Sequence, residues 1–227
     1  MLPHTMDPDE KITDVIDALR ERYGFPQQDD REPLEVLIRG VLSQNTSDIN
    51  SGRAYERLTS RFESWEAVRR AEAGEVESAI EVGGLAAQKT ATIQAILQWL
   101  HEKGSYSLDH LKELSAAEAE KRLKSIKGIG VKTARLVLLF AFGMPVFVVD
   151  THVLRVSRRL GLVGRNCGRV KAHTLLDDLV PDDRKYPAHI NMIRHGRELC
   201  HPSNPECERC PVERWCVYAH DERWETG

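Results

Sequence analysis

The stretch from Lys121 to Lys171 constrains the fold more than any other. An apolar pattern at Ala119, Leu123 and Ile126 gives way to Lys127-Gly128-Ile129-Gly130, and a second pattern follows at Ala134, Val137, Leu138 and Ala141. Apolar residues three and four apart mark one buried helix face, and glycine adopts backbone angles that residues with a Cβ resist. The segment therefore reads as helix, tight hairpin, helix. The same stretch holds twelve of the 32 Lys and Arg residues but only one of the 35 acids, Asp150. The whole chain carries a formal charge of -3, so cations are concentrated here against an acidic background. Such segregation suits a polyanion, and nucleic acid is the first candidate.

The amides of the glycine hairpin, together with the positive end of the next helix, can hold a phosphate without reading a base. A plain glycine turn between core helices fits Gly128 and Gly130 equally well. Lys132 falls in the first turn of the second helix, where the helix dipole disfavours a cation. Lys124, Lys127 and Arg135 add repulsion. Both effects favour the uncharged amine, the form in which lysine is a nucleophile; a lysine that merely contacts phosphate is the alternative. Asp150 follows Phe147-Val148-Val149 and precedes a helical pattern over 151–160, which makes it an N-cap. A carboxylate near an amine nucleophile can also steady developing positive charge and manage protons. Arg155, Arg158 and Arg159 extend the basic strip.

The remaining sequence is helical. Helices are expected from Asp7-Pro8 to Gly24, over 33–44, 49–62, 65–71, 76–82 and 87–100, through 108–123, and from Arg169 and about Pro187. The composition, 41% hydrophobic and 30% charged, is that of a soluble protein, with no apolar run long enough to span a bilayer. Two bends interrupt the pattern. Ser43-Gln44-Asn45-Thr46-Ser47 is a polar, amide-rich turn with Thr46 or Ser47 placed to cap the next helix. Gly83-Gly84-Leu85 sets a leucine at a glycine bend, either as core or as an exposed wedge able to unstack DNA. Gln88 and Lys89 beside it are placed to touch a phosphate backbone. Glu113, Glu118 and Glu120 read as a solvated outer face. His152, His189 and His195 are taken as structural, and Cys167, remote from the other cysteines, as a small buried hydrophobe.

Cys200, Cys207, Cys210 and Cys216 are separated by six, two and five residues. Five cysteines in all, four of them on one short segment, argue against disulfides and for metal ligation in a reducing compartment. Four thiolates suit either zinc or an iron-sulfur cluster.

The run Ile126–Ala134 followed by Gly143, Pro145 and Val149-Asp150-Thr151-His152 resembles the helix-hairpin-helix glycosylase superfamily named for its hairpin, its Gly/Pro-rich loop and its Asp. A lysine at the position of Lys132 is the mark of endonuclease III, a bifunctional DNA glycosylase and abasic-site lyase. The six-two-five cysteine spacing, with Tyr218 after the last cysteine, is similar to the four-iron four-sulfur loop of that family.

The resemblance covers nearly the whole chain and implies an all-α fold of two helical domains. One is 27–144 with the hairpin; the other joins 1–26 to 145–227 around a 4Fe-4S cluster held by the four cysteines. Damaged double-stranded DNA would lie in the groove between them. It further implies Lys132 and Asp150 as catalytic residues, and Lys127, Gly128 and Gly130 as the backbone grip. Asn45 stands where endonuclease III has a Gln that fills the gap left by the flipped nucleotide, with Gln44 as a possible substitute and Leu85 as the apolar wedge.

The implied activity is excision of oxidised pyrimidines in base excision repair, followed by β-elimination, by a cytoplasmic, nucleoid-associated monomer. The cluster loop of the family also contacts DNA through basic residues, and His201–Glu206 has no Lys or Arg, so a weaker contribution is expected. Residues 108–123 look like a local insertion of about one to two turns. Two rival readings stay open: a monofunctional mismatch glycosylase on the same fold, and a non-catalytic DNA-binding or redox module. A nicking assay on abasic and thymine-glycol duplexes separates all three.

Overall fold

A computed structural model describes residues 6–220. The outer ends of the range expected for the cluster domain, residues 1–5 and 221–227, lie outside the described residues. All regular structure among the described residues is helical, and none of these helices is long and apolar enough to cross a membrane. The chain divides into two compact units, residues 29–144 and residues 1–28 with 145–227.

The first unit contains α2 (Pro33–Leu42), α3 (Asp48–Arg61), α4 (Trp65–Arg70), α5 (Ala73–Ile80), α6 (Ala86–His101), α7 (Ala116–Lys124) and α8 (Val131–Phe140). Their starts are set by local chemistry. Ser47 accepts from the Asn50 amide and Ser64 from the Ala67 amide, each satisfying a donor that the helix leaves unpaired. The core is the apolar stripe of each helix: Leu37, Ile38 and Val41 on α2, Ile93 and Leu97 on α6, and Val137 on α8 are all fully buried. Helices α2 and α8 approach closely because Gly40 lacks a side chain; a Cβ there would lie 3.3 Å from Thr133 Cγ2.

The helix expected through 108–123 is shorter. A single 3-10 turn spans Asp109–Leu111, and α7 begins only at Ala116. Ser115 and Glu118 form a reciprocal capping box, which starts a new helix rather than continuing an old one. Glu120 is not merely solvated: it pairs with Arg135 at 2.8 Å and Lys124 at 3.3 Å. On α4, Glu66 accepts from Arg69, Arg70 and the Tyr106 hydroxyl, which ties that helix to the segment after α6.

The second unit contains α1 (Pro8–Tyr23), α9 (Thr151–Leu160), α10 (Arg169–Leu179) and α11 (Lys185–Glu198). Asp7 caps α1 and a proline opens it. Val15 and Leu19 of α1 pack with Phe147, Val153, Ala172 and Met192 in one buried cluster. The segment 145–149 has no regular structure, and side chains satisfy its backbone. Asp177 accepts from the Phe147 amide at 2.5 Å, Lys185 donates to the Pro145 carbonyl at 3.0 Å, and His189 Nδ1 lies 2.9 Å from the Val148 carbonyl. That scaffold delivers the chain to Asp150. Cys167 is half-buried rather than buried, at the edge of this core, with its Sγ directed to the Gly168 carbonyl at 3.6 Å. It sits in a short loop whose carbonyl is already engaged by Arg158.

Candidate functional site

The hairpin is seated by Ile126 and Ile129, which are buried while Lys127, Gly128 and Gly130 are exposed. Its two glycines do different work. Gly128 has φ +92°, and a Cβ there would lie 2.2 Å from Thr92 Oγ1 on α6. Only glycine fits that angle and that contact. Gly130 has an ordinary φ of -95° and nothing within 4 Å of its missing Cβ, so what it supplies is open space above the start of α8. Gly130, the N-cap of α8, has no side chain to cap the helix, and a helix start of this kind suits an anionic acceptor.

Lys132 is half-buried in that first turn. Its neighbour Thr133 is buried and accepts from Gln44 Nε2 at 3.4 Å, which ties the 43–47 turn to α8. Gln44 is thus engaged in the protein, while Asn45 beside it is exposed with φ +50°. Lys124 and Arg135, both expected to repel Lys132, each pair with Glu120.

Leu85 is 47% exposed and left-handed, with φ +52°. Lys89 departs from its expected place on a phosphate-facing surface. It is 1% exposed, and its Nζ donates to the Leu42 carbonyl at 2.8 Å and the Gly83 carbonyl at 2.7 Å. Burial lowers its pKa below the ordinary lysine value. The hairpin, the Asn45 turn and the Leu85 bend are all tied to α6 or α8 within one unit.

Asp150 belongs to the other unit. It is half-buried and caps α9, accepting from the Val153 amide at 2.7 Å. Three arginines of this helix, expected on the basic strip, instead turn toward their own unit. Arg155 donates to the Cys200 and Gly196 carbonyls, Arg158 to the Cys167 carbonyl, and Arg159 to the His201 and Pro202 carbonyls. Loops and the last turn of a helix leave carbonyls unpaired, and guanidinium forks satisfy them.

Cys200, Cys207, Cys210 and Cys216 line one cavity in this unit. Among the described residues, no three His, Cys, Asp or Glu side chains converge on a single ion position. Four thiols lining one cavity are a donor set that suits a metal centre. Arg159 Nη1 lies 3.3 Å from Cys200 Sγ, and His195 Nε2 lies 3.6 Å from Cys210 Sγ. Burial, then the charge of Arg155, lowers the His195 pKa to about 4, so the imidazole is neutral at pH 7. Burial pushes the Cys210 thiol up to about 12 and Cys216 to about 11. Metal binding would deprotonate such thiols. The contact of His195 with a cysteine was not legible in the sequence. For Arg159 a signal existed: its i, i+4 spacing from Arg155 puts both on one face of α9.

The profile of the HhH-GPD superfamily base excision DNA repair protein matches residues 38–182. The chain belongs to that superfamily. Endonuclease III of Thermotoga maritima is 35% identical over 86% of this chain and 87% of its own. A protein of Arabidopsis thaliana, provisionally named as a DNA glycosylase, is 36% identical over 83% of this chain and 75% of its own. Among solved structures, a trapped endonuclease III–DNA covalent intermediate superposes with a TM-score of 0.81 at 28% identity, covering 95% of this chain and 98% of that one. The HhH-GPD match begins on α2 and ends after α10, so it includes Lys132 and Asp150 and stops before the cysteine segment. Within the superfamily the chain is an endonuclease III-like base excision repair DNA glycosylase.

Proposed function

We propose that this enzyme is a bifunctional DNA glycosylase and abasic-site lyase that excises oxidised pyrimidines. Lys132 is the nucleophile and Asp150 the carboxylate that stabilises positive charge on the sugar. The observation that carries this reading is Lys132 itself, half-buried in the uncapped first turn of α8 directly after the glycine hairpin. The position is the one that marks lyases in endonuclease III, and the solved relative was trapped as a covalent intermediate with DNA.

The hairpin holds duplex DNA by its phosphates, through Lys127 and the amides around Gly128 and Gly130. A damaged base leaves the stack, and Asn45 and Leu85 occupy the space. The neutral Lys132 amine bonds to C1′ as the bond from C1′ to the base nitrogen breaks, and the base departs with its electron pair and is then protonated. The bound amine then loses a proton, its lone pair expels O4′, which is protonated as the sugar ring opens, and the iminium so formed acidifies the C2′ proton. Its removal expels the 3′ phosphate and cuts the strand by β-elimination.

Cys200, Cys207, Cys210 and Cys216 fit a 4Fe-4S cluster. When bound, it supplies cross-links to a segment of short turns between residues 200 and 216. The chain's own contribution there is to bury the sulfurs and present Arg159 and His195 to them.

The test is a comparison of wild type with Lys132→Gln on thymine-glycol and abasic duplexes. Wild type should release the base and nick the strand, and the variant should do neither while still binding duplex. Base release without nicking would make the enzyme monofunctional. Neither activity in wild type would leave a DNA-binding module.

A further inference from the structure

Among the described residues three non-glycine positions have positive φ: Asn45, Leu85 and Asn204. Left-handed backbone is disfavoured for a residue with a Cβ and persists only where the surrounding structure holds it. Two of the three flank the carbonyls that Lys89 binds. Leu42, whose carbonyl accepts at 2.8 Å, ends α2 three residues before Asn45. Gly83, whose carbonyl accepts at 2.7 Å, ends a 3-10 turn two residues before Leu85. One ammonium, 1% exposed, therefore serves two C-terminal ends at once. A cation is the favoured partner there, because carbonyls at helix ends carry partial negative charge. The space is tight as well: a Cβ at Gly83 would meet Ala54 Cβ at 3.2 Å and Lys89 Nζ at 3.8 Å. An apolar side chain in place of Lys89 would leave two buried carbonyls without their donor.

We propose that Lys89 is a positioning residue: its buried ammonium locks the Asn45 turn and the Leu85 bend together, so that they act on DNA as one rigid, two-pronged probe. What the prongs do rests on the function proposed above; the coupling between them does not. Lys89 touches neither DNA nor the reacting atoms. It sets the distance between an exposed amide and an exposed leucine that come from separate stretches of chain. Flipping a nucleotide then engages both prongs in one step.

Hydrogen exchange in the free protein tests the coupling directly. Lys89→Met should raise exchange of the amides at 44–47 and at 84–86 together, by about tenfold, and change those of the 127–131 hairpin by less than about twofold. Acceleration in one turn only, or in neither, overturns the proposal. Should that variant fail to fold, Leu85→Gly takes its place and must change exchange at 44–47; an effect confined to 84–86 overturns the coupling.

On DNA, Asn45→Ala and Leu85→Ala should each lower the preference for a tetrahydrofuran abasic duplex over intact duplex by about tenfold. The double variant should lie within about twofold of either single one. Effects that multiply independently refute the two-pronged probe. A wild type with no preference for the abasic duplex counts against the proposed function instead, and the exchange data still decide the role of Lys89.

Discussion

Gly128→Ala is the substitution whose cost the structure fixes most closely. The backbone there has φ +92°, and holding a residue with a Cβ at positive φ costs about 1–2 kcal/mol. The added methyl would lie 2.2 Å from Thr92 Oγ1 and 2.8 Å from Thr92 Cγ2. Thr92 has little room to retreat, being 6% exposed with its hydroxyl bonded to the Gln88 carbonyl at 3.0 Å. Overpacking of this kind costs about 1–3 kcal/mol, which gives a total of about 2–5 kcal/mol. The two contributions separate. Thr92→Ala removes the two atoms of closest approach but leaves the backbone angle and a Cβ at 3.0 Å, so Gly128→Ala with Thr92→Ala should recover part of the packing cost, at most about 1–3 kcal/mol. Urea unfolding measures this, with an unchanged slope showing that the shift in midpoint is a change in stability. A Gly128→Ala variant within about 0.5 kcal/mol of wild type, or a double variant no more stable than Gly128→Ala alone, would refute the reasoning.

Gly130→Ala should cost less, about 1 kcal/mol or under for an alanine at the N-cap of α8, because nothing lies within 4 Å of the new methyl, and should weaken duplex binding in a salt titration. Glu66 is held down to about 2 from its ordinary 4.5, first by hydrogen bonds from Arg69 and then from Tyr106. A depressed carboxyl stabilises the fold fully above its unfolded pKa and loses that contribution as pH falls through the folded one. Glu66→Gln should therefore lower Tm at pH 7, and the gap should close between pH 4.5 and 2; a gap independent of pH would contradict the assignment. Serine at Cys210 should abolish the visible absorbance of the purified protein and cut its iron from about four per chain; one zinc per wild-type chain would overturn the cluster.

Much of the architecture was legible because it rests on local chemistry. Asp150 caps α9, Ser47 caps α3, and the three-and-four spacing placed the buried stripes. The capping box at Ser115 and Glu118 is equally local and marks a helix start inside the single helix expected from 108. What stayed hidden depends on contacts distant in sequence. Lys89 looks like a surface cation until its partners, backbone carbonyls 47 and 6 residues away, are in place. Arg155, Arg158 and Arg159 count as positive charge in a sequence tally, yet their guanidiniums are committed to the carbonyls of loops that the tally cannot position. Gly128 and Gly130 look alike in sequence, but only one has a positive φ and a neighbour against it.

Borohydride trapping on an abasic duplex, followed by peptide mapping, bears most directly on the central claim. A covalent adduct at Lys132, absent from Lys132→Gln, is the predicted result. No adduct in wild type, or one mapped to another amine, would contradict it.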